Sequence, residues 1–209
     1  PKGRDFAAKY ADTIIAYGGS TAEMKSFRDD VRARMATHGR KPDTCKVMFI
    51  VQPILGDTQQ EADAKRRRWR EDPLNIEAKL AGISSITEVD FAPYDWDEVP
   101  PQDLTTNGER NSLETFLQKG SGRTLRQLVT DGFGDGGELV GTPDSVAEQM
   151  DAMMEEVGGD GFLITSPVRR LSRRYVTEIT DGLIPALQRR GVVRTAYTYE
   201  QFRDNLLDF

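Results

Sequence analysis

Apolar positions along the chain switch between two periods. Thr13-Ile14-Ile15-Ala16-Tyr17 is a β-branched and aromatic run ending at Gly18-Gly19, and it predicts a short buried strand. Residues 4–11, just before it, predict a short helix. Ser20 or Thr21 then caps a helix whose apolar positions, Met24, Phe27, Val31 and Met35, recur at intervals of three and four. Gly39 predicts its end. Residues 46–51, Lys-Val-Met-Phe-Ile-Val, predict a second strand. Their near-continuous apolarity suits a parallel strand covered on both faces, and Pro53 and Gly56 are expected to stop it. Asp57 or Thr58 caps the next helix, which runs towards Trp69.

Residues 71–140 break the rhythm. They carry Pro73, Pro93, Pro100 and Pro101 and end in a glycine-rich stretch, residues 132–137. Helices are predicted near 75–82 and 110–119. The rest reads as a long irregular excursion, of the kind that serves as a lid or binding loop. Phe91, Tyr94 and Trp96 argue against simple disorder. Regularity returns at Thr142-Pro143-Asp144, a strong helix start, followed by a stripe of Val146, Met150, Met153 and Val157. Methionines at that spacing read as core. Gly158-Gly159 ends the helix, and residues 161–166 predict a third strand. A last helix holds Val176, Ile179, Leu183 and Leu187, with Pro185 expected to kink or restart it. Residues 192–209 are expected to pack on the outside.

Three strands separated by helices imply parallel βα units, hence an α/β fold. Three parallel strands need neighbours on both sides. Pro1-Lys2-Gly3-Arg4-Asp5 also reads as a tight turn running directly into a helix. Together these predict part of a larger fold, even though 209 residues suffice for one domain.

Composition narrows the function. A net charge of −6 argues against a nucleic-acid partner. The one strongly basic run, Lys65-Arg66-Arg67-Arg68, reads as a solvated helix face. Arg169-Arg170 and Arg173-Arg174 form a second cluster, suited to solvent or an oligomer interface. The single cysteine, Cys45, excludes an intrachain disulfide and fits a reducing, cytoplasmic compartment. It reads as a small packed residue. The lone histidine, His38, reads as an exposed helix cap. No run approaches the length of a membrane span. No nucleophile–base constellation and no metal-ligand spacing is present, so neither catalytic side chains nor a metal are predicted.

Several stretches resemble one family: Pro1-Lys2-Gly3-Arg4-Asp5-Phe6-Ala7-Ala8-Lys9-Tyr10-Ala11-Asp12; Gly39-Arg40-Lys41-Pro42-Asp43 with residues 46–56; Val140-Gly141-Thr142-Pro143 through Asp160-Gly161-Phe162; and Ile184-Pro185-Ala186-Leu187-Gln188-Arg189-Arg190-Gly191 with Arg194-Thr195. Thr106-Asn107-Gly108 and Gly122-Arg123-Thr124-Leu125-Arg126 fit as well. In this order they resemble the luciferase-like flavin monooxygenases, in the branch of nitrilotriacetate, dibenzothiophene-sulfone and long-chain alkane monooxygenases.

The resemblance implies a TIM (β/α)8 barrel. This chain would supply its C-terminal part, roughly the last three βα units, as a single partial barrel domain over residues 1–209, with 71–140 as an insertion or lid. It implies a two-component enzyme that takes reduced FMN from an NAD(P)H:flavin reductase and uses O₂ to oxygenate a small organic substrate, in a homo-oligomer. The residues near the flavin ring come from the other half of the family's fold, so the active site here is expected to be incomplete. Lys2 and Gly3 correspond to the turn and helix start that hold the FMN phosphate. Gln52 and Ser166 end strands at the expected catalytic mouth, and Arg123 stands in the insertion where it would attract an anionic substrate. The competing reading is a non-catalytic α/β binding module that keeps the fold without the flavin site.

Overall fold

The computed structural model describes residues 2–131, 137–167 and 172–208. In chain order the elements are α1 (Lys2–Tyr10), β1 (Thr13–Ala16), α2 (Thr21–Thr37), β2 (Lys46–Leu55), α3 (Gln59–Glu71) and α4 (Pro73–Thr87). Then come α5 (Arg110–Gly120), α6 (Leu125–Thr130), β3 (Gly137–Gly141), α7 (Pro143–Val157), β4 (Phe162–Ile164), α8 (Arg173–Thr177), α9 (Ile184–Arg189) and α10 (Phe202–Leu207). Chain contacts divide these into two units. One draws on Pro1–Ala62, Gly136–Ser166 and Ser172–Phe209, the other on Asp63–Asp135 and Pro167–Leu171.

In the first unit every strand pairs with β2, and every pairing is parallel. Phe49 pairs with both Ala16 of β1 and Phe162 of β4. Val51 pairs with both Gly137 of β3 and Ile164 of β4. A strand has only two edges, so β1 and β3 lie end to end along one edge of β2 and β4 lies along the other. The expectation of three strands is therefore corrected to four, because β3 rises out of the end of the glycine-rich stretch.

β2 also runs past Pro53 to Leu55, against the expected stop. On β2 the Phe49 N–H and the Val51 carbonyl bond towards β4, to Gly161 and Thr165. The nitrogen of residue 53 shares that side, where β4 has already ended. The β3 edge uses the alternate residues, as with Gly56 N donating to the Gly141 carbonyl. A proline thus interrupts no bond to β3. The third predicted strand is correspondingly short, three residues instead of six.

One face of the sheet packs against helices. Val47 and Phe49 join Met24, Val31 and Met35 of α2 and Val157 of α7. Val51 and Leu55 join Val146, Ala147 and Met150 of α7 with Leu183, Ala186 and Leu187. Cys45 is buried in the first of these clusters, as expected, and burial pushes its thiol pKa up. The predicted caps hold: Ser20 and Glu23 form a capping box, and Thr142 accepts from Ser145 N. At Pro185 the α-helix restarts, one of the two outcomes expected there. A π-helical turn, Glu178–Leu183, precedes it, and Pro185 falls in the first turn of α9, where a missing N–H is tolerated. In the tail, α10 is held by Arg203, which donates two hydrogen bonds to Asp12 and holds that carboxyl below its usual range.

The second unit has a core of its own. Ile76 and Leu80 of α4, Phe91, Leu113 and Phe116 of α5, and Leu125 and Leu128 of α6 are buried together. The rings of Phe91 and Phe116 lie 5.0 Å apart. α4 starts at Pro73 behind the Asp72 cap, earlier than the pattern suggests, and runs on to Thr87. α6 is an addition to the predicted elements, although Thr124 and Gln127 form a capping box whose spacing is visible in the sequence. Within residues 71–140, residues 73–131 are thus a packed helical body more than an irregular loop, and 137–140 belong to β3 of the first unit; residues 132–136 lie outside the described residues.

Asp160, between α7 and β4, joins three segments of the first unit. Its side chain is 4 % exposed and accepts from Arg28 Nε at 3.0 Å, Arg32 Nη2 at 3.1 Å and the Val47 N–H at 3.1 Å. Asp160→Ala would leave the nearly buried Arg28 guanidinium unpaired. It is expected to cost about 3–5 kcal/mol, read as a lower urea midpoint at unchanged slope.

Candidate functional site

Side chains alternate along β2. Val47, Phe49, Val51 and Leu55 face the helices, so Met48, Ile50, Gln52 and Ile54 face the other way. On β1, Ile14 and Ala16 pack towards α2, which leaves Ile15 on that same opposite face, exposed, with exposed Tyr17 just beyond the strand. On β4, Phe162 and Ile164 pack towards the helices. Leu163, and Thr165 just beyond the strand, take the opposite phase. On β3, Leu139 packs towards the helices, so Glu138 and Val140, paired with Gln52 and Ile54, share the second face, which is apolar but for Gln52, Glu138 and Thr165 towards its carboxyl end.

Gln52 and Thr165 stand side by side there. The register pairs Val51 with Ile164, and the Thr165 N–H donates to the Val51 carbonyl at 3.0 Å. One step further along both chains sets Gln52 beside Thr165, about 4.8 Å apart in the backbone. Gln52 is 9 % exposed. Its Oε1 and the Thr165 Oγ1 are buried without a hydrogen-bond partner among the described residues.

The backbone beneath them is held by Tyr175. The next rung of the β2–β4 ladder would run from the N–H of residue 53 to the Thr165 carbonyl, but Pro53 has none. The buried Tyr175 hydroxyl donates to the Thr165 carbonyl instead, at 2.8 Å, and lies 3.2 Å from the Pro53 carbonyl. Burial, with a smaller contribution from Glu178, pushes the phenol pKa well up, so the hydroxyl keeps its proton. Sequence reasoning misses Tyr175. Nothing in its local sequence marks it, because its partners lie 122 and 10 positions away.

The other predicted residues are placed as follows. Lys2 and Gly3 form the exposed first turn of the nine-residue α1. A Cβ at Gly3 would meet nothing within 4 Å. Ser166 lies two residues beyond β4 and is half-buried. Arg123 belongs to the second unit, where it is half exposed and ion-paired with Asp131. Gln52 is thus the predicted polar residue that the sheet buries. His38 is the C-cap of α2, as expected, but it is half-buried and bonded to Asp5 at 3.1 Å. Of the basic run on α3, Arg66 pairs with Asp63, and Arg67 and Arg68 are exposed. Arg169 and Arg170 lie outside the described residues; Arg174 pairs with Glu178.

A cavity of about 740 Å³ is lined by Met48, Met150, Phe162, Ile184, Leu187 and Tyr197, among others. It includes Gly159 to Phe162 at the amino end of β4 and none of the predicted site residues. Parallel α/β folds place their chemistry at the carboxyl ends of the strands, which makes the Gln52–Thr165 end the candidate site. Among the described residues no group of three or more His, Cys, Asp or Glu side chains is placed to hold a metal, and no helix is long and apolar enough to cross a membrane.

This architecture has counterparts among known proteins. Residues 1–161 match the family model of luciferase-like monooxygenases, and the chain belongs to that family. It is 30% identical over 208 residues to one of the subunits of the pristinamycin IIA synthase of Streptomyces pristinaespiralis, covering 99% of this chain and 48% of that protein. It is 30% identical to the nitrilotriacetate monooxygenase, component A, of Aminobacter aminovorans, covering 98% of this chain and 46% of that one. The crystal structure of DmoA from Hyphomicrobium sulfonivorans superposes with a TM-score of 0.78 at 29% identity, covering 100% of this chain and 44% of the other. The chain therefore spans about half the length of the relatives it matches.

Tyr175→Phe removes the hydroxyl that stands in for the proline N–H and leaves the buried Thr165 carbonyl unpaired. The expected loss is about 1–3 kcal/mol, measured by denaturant unfolding, with faster amide exchange at Thr165.

Proposed function

We propose that the chain forms part of an FMN-dependent, two-component monooxygenase that oxygenates a small organic substrate. The sheet supplies roughly three βα units of a (β/α)8 barrel. Two observations support this: β1 leaves Ile15 and Tyr17 exposed on the face that a barrel encloses, and the relatives are about twice as long. On this reading residues 71–140 are an insertion or lid. The observation that carries the functional reading is the carboxyl end of the sheet, where an apolar face ends in two buried polar atoms without partners.

The residues present fit an FMN phosphate at α1. The first N–H groups of a helix have no partner inside it and carry the positive end of its dipole. Gly3 leaves open space beside them, and Lys2 adds a cation. Reduced FMN, when bound, supplies the two electrons with which one oxygen atom of O₂ enters the substrate and the other leaves as water. The chain's own part is to bind and to exclude water. Lys2 and Gly3 hold the phosphate, Ile50, Ile54 and Leu163 keep the interior apolar, and Gln52 and Ser166 contact substrate at the mouth. Arg123 offers a cation to an anionic substrate, in competition with Asp131. A flavin reductase and O₂ complete the cycle.

The test is a flavin titration, followed by quenching of FMN fluorescence, on this chain and on the protein made from its complete reading frame. The complete protein is expected to bind FMN saturably and at least about tenfold more tightly than riboflavin, and Lys2→Glu to remove most of that preference. Reduced FMN should then support O₂ uptake that depends on substrate. If neither protein binds oxidised or reduced flavin, the reading fails and a binding module without cofactor takes its place.

A further inference from the structure

Burying a polar atom without a partner costs stability, and folded proteins keep such atoms rare. Two of them on neighbouring strands, level with each other and on one face, need a reason. The surroundings give no structural one. The flanking positions Ile50, Ile54 and Leu163 are apolar, and Glu138 of β3, level with Gln52 on its other side, is a carboxylate that only accepts and so cannot satisfy Gln52 Oε1. Backbone pairing at this point does not use either side chain, since the Thr165 N–H bonds to the Val51 carbonyl and the Thr165 carbonyl to Tyr175. That pairing does fix where both side chains start. The two therefore form a rigid pair at the end of the sheet where the proposed site lies.

The two atoms differ in what they can do. Gln52 Oε1 only accepts, whereas the Thr165 hydroxyl can donate. We infer that Gln52 and Thr165 form a subsite for an amide or imide edge, whose N–H donates to Gln52 Oε1 and whose adjacent carbonyl accepts from the Thr165 hydroxyl. A hydrocarbon group satisfies neither atom, so the pair selects against it. Thr165 becomes a specificity residue, and Gln52 acquires a defined partner chemistry. An edge of this kind occurs in two sources within the proposed reaction: the imide of the flavin ring and an amide-bearing substrate. The inference rests on the proposal that the carboxyl end of the sheet is the ligand site.

Three measurements on the complete protein test it, using Gln52→Met, Thr165→Val and the unaltered chain. The first is thermal unfolding without ligand. Both variants are expected to melt at the same temperature as the parent or above it, because each removes an unpaired buried polar atom. A clear drop in both would show that the pair is bonded within the fold, and would overturn the inference. The second is the affinity for FMN and for FMN methylated at N3, which has lost the imide N–H. If the flavin ring is the source, Gln52→Met weakens FMN about tenfold and leaves the methylated form unchanged. The third is the binding of succinimide and N-methylsuccinimide, followed by the side-chain amide resonance of Gln52. If a substrate is the source, FMN affinity is unchanged in both variants, and succinimide alone shifts that resonance. No discrimination between methylated and unmethylated probes in either pair sinks the inference. Failure of the unaltered protein to bind any flavin would instead strike at the monooxygenase reading, with the succinimide arm still deciding on the subsite.

Discussion

The carboxylate of Asp160 holds the sheet in register. It receives two arginines of α2 and the N–H of Val47 at the start of β2, while its own backbone leads into β4. One side chain thus ties the helix that covers the sheet, the strand at its centre and the strand at its edge. A buried charge is expensive to desolvate, and this one is stabilised only because both oxygens are occupied. Its partners lie more than a hundred positions away in the chain. Everything downstream along β2, including the level at which Gln52 meets Thr165, follows from where this contact sets the two strands.

The opposite end of the same strand pair is secured differently. Pro53 ends the β2–β4 ladder by lacking an N–H, and Tyr175 completes it with a hydroxyl. A proline inside a paired strand is tolerable here because β3 uses the alternate residues of β2. Backbone groups at the carboxyl end are satisfied by Tyr175, so the polar side chains beside them remain available for something that is not backbone. The fold holds its central strand with charge at the amino end and with a neutral phenol at the end of the β2–β4 ladder.

Much of this is legible in the chain. Periodicity locates α2, α7, β1 and the first half of β2, because those elements bury one clean face each and carry recognisable caps at Ser20 and Thr142. The order of motifs points to the luciferase-like family, which the family match over residues 1–161 bears out. The misreadings share a cause. Pro53 and the prolines of residues 71–140 read locally as breaks. Whether a proline breaks an element depends on which side of the strand or which turn of the helix lacks an N–H, and that is a tertiary fact. β3 is invisible to periodicity because a five-residue strand containing two glycines shows little pattern without its partner.

The sequence by itself determined the alternation of helix and strand, the parallel class and the family. These are encoded in spacing of three, four or two and in local caps, which need no knowledge of distant residues. Only the tertiary structure decided that β2 has β1 and β3 along one edge and β4 along the other, that Thr165 is the neighbour of Gln52, and that Tyr175 replaces a missing N–H. Those outcomes depend on register between segments far apart in the chain, and a shift of one residue would have turned each side chain to the opposite face.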